Sequence, residues 1–541
     1  MTNTPKKHSD DKPSSGFVIA QLPKFELLLY YAVWISHAIG AFVVVFNITN
    51  RLRRSLERWL PQSDYMPDYH MDTTDPEWSF YRIAIFERLI AFVFHSAVFY
   101  IIPKLFSKRA TQYIMIVCWL GVHLYLTSLK CMLTFAAFAV FTIVISLIVH
   151  TELVAWVICI AFIMEAQYYA PFSVPPRIYY REHNFYLYGA IKVINYCIHL
   201  SRNKINSMKE LDIIRCAQYI LYPPYSTLLI VLYDDFESQI NRVEAEQQKS
   251  EIMPLHLTKG MVWKVVRLIF WYFAFEFVLH FIYVYSILNL PFPIFNLLNI
   301  YELAATAYVN GQLFYWKYVL IFGIPSWFAL FDGMKPPDPP ICIARVSRYS
   351  RMWRYFDRGL YQFLKLQVYL PLVGDIKGTF GSWRRFGAMV GAFLFVLAWH
   401  GATKSCILWV TLSASELIIE RIGYMIACTS LWCRLSIVIG KRNKRRLIAF
   451  AMIATVIPGV FGVFFFLGQD GFGEMIFEKL LIQGFFDVIS LDIAIRDGLA
   501  TAGFVFIHFI LLGYCFNNVC LQLDESITRE KPIDRPQKKT D

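Results

Sequence analysis

Apolar runs long enough to cross a bilayer recur along the whole chain, and this constrains its fold more than any other feature. They lie near 26–48, 83–103, 112–128, 131–149, 152–169, 215–233, 263–290, 313–331, 386–400, 402–420, 423–439, 447–467 and 498–520. A helix needs about 20 residues to span the hydrocarbon core, where no water satisfies an open backbone. Of the 541 residues, 57% are hydrophobic and only 17% charged, against about a quarter charged in soluble domains. The chain therefore reads as an all-α polytopic integral membrane protein. Its 14 Trp, 32 Tyr and 47 Phe suit a wide bilayer interface, where amphipathic rings settle at headgroup depth.

Not every apolar stretch reads as a plain span. Residues 215–233 carry the YPP run Tyr222–Pro224, and a proline pair there predicts a broken or re-entrant helix. The stretch 352–374 is too charged to face lipid and reads as an in-plane or re-entrant amphipathic segment.

The net charge of +12 is concentrated in clusters between apolar runs, at 51–58 (RLRRSLER), 107–109, 201–215 and 441–446 (KRNKRR). These are topology signals, cytoplasmic by the positive-inside rule, rather than a nucleic-acid surface. The loop 468–497 sets Asp470, Glu474, Glu478, Asp487, Asp492 and Asp497 against Lys479 and Arg496 and is expected to be lumenal. One conflict remains. Arg384–Arg385 and KRNKRR cannot both be cytosolic if 386–400, 402–420 and 423–439 all cross, so one of these must be short, tilted or in-plane.

The domain reading is a disordered cytosolic tail (1–24), one transmembrane domain (25–522) and a cytosolic C-terminal tail (523–541). The last residues, KKTD, fit a dilysine address read by the coat machinery that retrieves proteins to the endoplasmic reticulum, or an ordinary lysine-rich tail. The eleven cysteines show no metal or disulfide spacing and read as small buried hydrophobes.

Two stretches carry candidate chemistry. FLFVLAWHGATKS (393–405) ends an apolar run on His400, followed by Gly401. Ionisable groups in membrane segments tend to line a pathway, and a neutral buried imidazole is a competent general base. Gly401 would leave room for a substrate. The alternative is an interfacial histidine beside Trp399, and the stretch alone does not choose. His37, inside the first run, has nothing around it that points to chemistry. In 339–360, PPICIARVSRYSRMWRYFDRGL, a continuous helix over 352–364 would set Trp353, Arg354 and Asp357 on one face. Asp357 is then either the partner of an arginine at the interface or an acid aimed into a cavity shared with His400. Cys342 reads as a free or S-acylated juxtamembrane thiol, with Arg345 and Arg348 nearby to meet anionic groups.

Taken together, DPEWSFY (75–81), GQLFYWKYVLIFGIP from Gly311, FDGMKPPDPPICI, MWRYFDRGL, VYLPLVGD and WHG resemble the hedgehog acyltransferase branch of the membrane-bound O-acyltransferase family. The resemblance implies about ten spans with re-entrant helices around a tunnel. It further implies transfer of palmitate from palmitoyl-CoA to the N-terminal cysteine of a secreted signalling protein. It assigns His400 and Asp357 to the catalytic positions, Trp353 and Arg354 to the acyl-CoA path, and Cys342 to a position whose thiolate holds haem b through its iron. Its partners would be palmitoyl-CoA, the acceptor protein and membrane lipids. A lipid acceptor such as a lysophospholipid, a catalytically inactive relative and a transporter are the rival readings; Asp at 357 and the presence of His400 weigh against the first two. Two segments depart from the pattern, Ala402–Lys404 after the WHG and GQDGFGEM at 468–475.

Overall fold

The computed structural model describes residues 20–168, 176–249, 258–295, 297–374, 381–496 and 498–530. The chain begins with α1 (Lys24–Leu56), α2 (Pro76–Leu105), α3 (Lys108–Leu126), α4 (Leu129–Val149) and α5 (Glu152–Tyr168). Next come α6 (Pro176–Arg202), α7 (Glu210–Leu221), α8 (Tyr233–Lys249) and α9 (Lys259–Val278). Two short helices, α10 (Val284–Leu288) and α11 (Phe292–Phe295), lead into the long α12 (Ile300–Phe331). A connecting segment holds α13 (Tyr349–Tyr355), α14 (Arg358–Phe363) and α15 (Leu370–Val373). The remainder is α16 (Gly381–His400), α17 (Lys404–Ala427), α18 (Ser430–Ala451), α19 (Ile453–Leu467), α20 (Phe472–Ile476), α21 (Gln483–Ile489) and α22 (Ala502–Glu530). Among the described residues the only strands are the pair Ile495–Arg496 and Leu499–Ala500.

The protein is a multi-pass membrane protein. Among the described residues six helical stretches are long and apolar enough to cross a bilayer, and their outer faces leave large side chains such as Phe25, Leu133 and Ile437 exposed. Helix α12 is the most buried of the six and packs against α1, α2, α9 and α19, which makes it the post of the bundle.

Several runs end elsewhere than expected, each for a local reason. The run 263–290 is not one span: α9 stops at Val278 and α10 starts anew at Val284. There the Asp72 carboxylate accepts the backbone N–H groups of Tyr285 (2.9 Å) and Ser286 (3.1 Å), anchoring the new helix start. Helix α12 starts well before 313, at a capping box in which Asn299 and Glu302 exchange hydrogen bonds. The YPP run does break its segment, since α7 ends at Leu221 and Pro223–Tyr225 form a single 3₁₀ turn.

The charge conflict resolves at 423–439. Helix α17 absorbs the first residues, and the rest forms the start of α18, which is interrupted at Gly440 (φ 76°). The piece from Ser430 to Ile439 is about 15 Å long at 1.5 Å per residue, too short to cross. With α16 and α17 both crossing, Arg384–Arg385 and KRNKRR would share a side. Contacts locate KRNKRR itself. Arg446 pairs with Glu26 at 2.6 Å, Arg445 donates to Gln522, and Arg348 and Arg351 both pair with Asp524. Both ends of the described chain and the basic clusters around 348 and 446 therefore gather at one end of the bundle, whereas RLRRSLER (51–58) lies at the other end of α1, where Arg51 pairs with Glu302, so the two clusters are not on one side as the charge pattern predicted. The N-terminal tail and the KKTD tail lie outside the described residues.

Candidate active site

His400 is the last residue of α16, and the turn that follows fixes where its ring points. Gly401 adopts φ 79°, a left-handed conformation that ends the helix and that a β-carbon would disfavour. The glycine therefore serves the turn, where the sequence pointed to room for a substrate. Thr403 then caps α17 by accepting the Cys406 N–H at 3.3 Å. The chain reverses within three residues, and His400 is left at the end of the helix pair.

Its imidazole stands edge-on to two rings, Trp409 and Phe466, each at 5.2 Å and 86°. Those two stack on each other at 4.2 Å, and Trp353 stacks on Trp409 at 5.7 Å. An aromatic column thus links WRYFD to WHG. Each such pair contributes about 0.5–1.5 kcal/mol, enough together to hold the imidazole in one orientation. Among the described residues neither ring nitrogen of His400 has a hydrogen-bond partner. The Trp353 Nε1 is buried and also unpartnered.

The predicted helix over 352–364 is broken at the residue of interest. Helix α13 ends at Tyr355, and Asp357 is extended (φ −120°, ψ 91°) and caps α14 by accepting the Leu360 N–H at 2.9 Å. Gly359 lies so close to the Ile230 carbonyl oxygen that a β-carbon would collide with it, which fixes the path of the chain. Asp357 consequently forms no i,i+3 pair with Arg354. The Arg354 guanidinium is exposed and sits 5.7 Å over the Tyr361 ring. Asp357 lies within electrostatic reach of Tyr188, whose ring meets Trp399 edge-on at 5.3 Å, and burial pushes its carboxyl up to about 6. Among the described residues no hydrogen bond joins it to His400. The two candidates are related through Tyr188 and Trp399, not by contact.

His400 opens into a cavity of about 330 Å³, and Asp357 does not line it. The acids that do are Asp75 and Glu77, from the start of α2, joined by Lys317 of α12, Tyr285, Tyr318 and Gln469. Lys317 is 6% exposed and its Nζ lies 2.6 Å from Asp75 and 2.8 Å from Glu77. DPEWSFY and the lysine inside GQLFYWKYVLIFG were both visible in the sequence. The signal that would have singled out Lys317 is a charge in the middle of a span.

The two segments that departed from the family pattern touch each other at the cavity rim. Lys404 pairs with Glu474 at 3.1 Å, and the Ser405 hydroxyl donates to Asp470 at 3.0 Å. Cys342 precedes α13 in the chain, half-buried at the start of a 3₁₀ turn, beside Arg345 and Tyr315. Burial raises its thiol, while the Ala344 N–H and the Arg345 charge oppose that rise.

Comparison with known proteins places this geometry. The sequence model of the membrane-bound O-acyltransferase family matches residues 135–435. The chain is 28% identical over 302 residues to Protein-cysteine N-palmitoyltransferase Rasp of Drosophila melanogaster, covering 54% of this chain and 57% of that protein. It is 24% identical over 422 residues to Protein-cysteine N-palmitoyltransferase HHAT of Mus musculus, covering 72% of this chain and 80% of that protein. Membrane-bound O-acyltransferase GUP1 of Candida tropicalis is 25% identical over 220 residues, 38% of this chain and 34% of its own length. The chain thus spans little more than half the length of the fly relative, and most of the mouse one.

Proposed function

The chain belongs to the membrane-bound O-acyltransferase family, and from that premise we propose that it transfers a palmitoyl group from palmitoyl-CoA to the N-terminal cysteine of a secreted, hedgehog-type signalling protein, forming an amide. One observation carries the reading. His400 opens into a polar cavity at the end of the bundle away from the basic cluster, with the MWRYFD block packed behind it through Trp353 and Trp409. The fly and mouse relatives, both protein-cysteine N-palmitoyltransferases, support the same acceptor chemistry.

The donor is cytosolic and the acceptor lumenal, so the reaction needs a path through the membrane. The CoA phosphates would be drawn to the end where Arg345, Arg348, Arg351 and Arg354 lie. Burial of each acyl methylene in an apolar channel contributes about 0.8 kcal/mol. The unpartnered Trp353 Nε1 is a donor free to meet the pantetheine arm. As the amine attacks the thioester carbonyl, His400 accepts its proton and returns one to the departing CoA sulfur; the C–N bond forms as the C–S bond breaks. Asp357, within electrostatic reach of Tyr188 and outside the cavity, supplies negative charge from a distance that stabilises the transient imidazolium. An acyl group taken first by the cysteine sulfur and passed to the nitrogen would use the same residues.

The test pairs labelled palmitoyl-CoA with a peptide bearing a free N-terminal cysteine and with its N-acetylated twin. Label on the free peptide alone is expected. Transfer to a lysophospholipid with none to peptide would overturn the proposal.

A haem is part of the same proposal. The Cys342 thiol is half-buried, lies outside the spans and has Arg345 beside it, which fits a thiolate ligand to haem iron with a cation to meet a propionate. Cys342 would hold the iron, and the haem would supply a structural anchor at the cytosolic end. Purified protein is expected to show a Soret band that Cys342→Ala removes; a wild-type protein without a bound chromophore refutes this part. Residence in the endoplasmic reticulum or Golgi membrane, where a secreted acceptor passes, belongs to the same proposal.

A further inference from the structure

The cavity in front of His400 holds an unbalanced charge. Asp75 and Glu77 both line it, and Lys317 is the only cation among its lining residues. The Lys317 ammonium lies between the two carboxylates, 2.6 Å from Asp75 and 2.8 Å from Glu77. Glu77 also accepts the Tyr318 hydroxyl at 2.9 Å and the Tyr180 hydroxyl at 3.3 Å, and Asp75 caps α2 through the Glu77 and Trp78 N–H groups. Two carboxylates and one ammonium leave a net negative charge, which the α2 N-terminus, equivalent to roughly half a positive charge, offsets only in part. A knot meant only to tie α2 to α12 needs one acid, because a buried charge is costly unless it is paired.

A second observation points to a ligand. Tyr285 lines the same cavity, is 8% exposed, and its hydroxyl has no hydrogen-bond partner among the described residues. Buried hydroxyls are nearly always satisfied, so this one is available to a group that enters the cavity.

We propose that Asp75, Glu77 and Tyr285 form the subsite for the α-ammonium of the acceptor chain, with Lys317 bridging the two carboxylates and offsetting their mutual repulsion. This rests on the acyl-transfer reading given above. A primary ammonium brings the missing positive charge and three N–H donors, which suit two carboxylates and a hydroxyl. The alcohol of a lipid acceptor brings one donor and no charge. An acetylated N-terminus brings one donor and added bulk. The subsite therefore selects amines over alcohols before any chemistry occurs, and it holds the nitrogen in the same cavity as His400. One proton of the ammonium passes to a subsite carboxylate and frees the amine to attack; the second goes to His400 as the C–N bond forms and from there to the departing CoA sulfur.

The experiment uses the full-length protein in detergent micelles, measuring transfer kinetics and binding of the free and N-acetylated peptides with palmitoyl-CoA binding as the control. Glu77→Gln keeps the shape of the side chain and removes the charge. It is expected to raise the acceptor KM at least tenfold and to shrink the preference for the free peptide, leaving palmitoyl-CoA binding within twofold. Tyr285→Phe removes a hydroxyl that lies beside Asp75 without a hydrogen bond of normal geometry, so it tests the subsite with the Lys317 ion pairs left in place; a rise of a few-fold in acceptor KM alone is expected. Full preference for the free amine in both variants would overturn the proposal. So would parallel loss of donor and acceptor binding in Glu77→Gln with Tyr285→Phe unchanged, the mark of a purely structural knot. No peptide transfer by the unsubstituted protein would instead defeat the acyl-transfer reading, and this subsite with it.

Discussion

His400→Ala is expected to lower palmitoyl transfer to an N-terminal-cysteine peptide by about 10²- to 10⁴-fold, the range that a positioned general base contributes. The ring makes edge contacts with Trp409 and Phe466, which stack on each other without it, so the column should survive its removal. Among the described residues it gives up no side-chain hydrogen bond. Palmitoyl-CoA binding and the thermal midpoint in detergent should therefore change little, and the loss should appear in kcat. A variant that keeps activity within threefold of the wild type would remove His400 from the mechanism. One that loses donor binding as well would make it a structural residue.

Asp357→Asn is expected to cost about 10²-fold in kcat and to change the shape of the pH profile. The two roles of this side chain separate cleanly. Asparagine is as good an N-cap as aspartate, so its Oδ1 still accepts the Leu360 N–H and α14 still starts where it does. What the substitution removes is the charge. Burial pushes the Asp357 carboxyl up to about 6 from its ordinary 3.8, so the carboxylate is present above pH 6 and disappears as the pH falls through it. Activity that needs the carboxylate should fall from pH 7 to pH 5 with a slope of one proton, and the variant should lack that limb. The same displacement acts on stability in the opposite sense. Between about pH 4 and pH 6 the folded chain holds a proton that the unfolded chain has released, so stability declines as pH rises through this window. Asp357→Ala loses cap and charge together, with a further 0.5–2 kcal/mol or so of stability. A wild-type profile flat from pH 5 to 7 would refute the assignment of Asp357.

How much of this the sequence discloses depends on the range of the interactions involved. The apolar runs located most helices because a bilayer leaves the backbone few alternatives. Helix ends set by remote groups were invisible: the end of α9 and the start of α10 depend on Asp72, about two hundred positions away in sequence, and the break at Asp357 depends on the Ile230 carbonyl. His400 and Trp353 were legible as residues, but the Trp409 that joins them lay unremarked in an apolar run. Asp357 reads in the sequence either as the partner of an arginine or as an acid in a cavity with His400; the acids that line that cavity are Asp75 and Glu77, brought there by α2. His37, read as an isolated polar group, instead meets His508 of α22 Nε2 to Nε2 at 2.9 Å, with Tyr301 on the far nitrogen of His508. Such a pairing across the whole chain length leaves no local trace.

The contacts of Lys404 with Glu474 and of Ser405 with Asp470 have a consequence for how this rim can be altered. The turn after WHG and the loop at 468–475 behave as two halves of one clasp. A chimera that imports one half from a relative would leave a lysine or a carboxylate facing the wrong counterpart, and only a joint transplant keeps both sides matched. Over evolutionary change the same coupling makes the pair a module: acceptor choice can drift in a single lineage when both halves move together, while the acyl-transfer machinery behind them stays as it is.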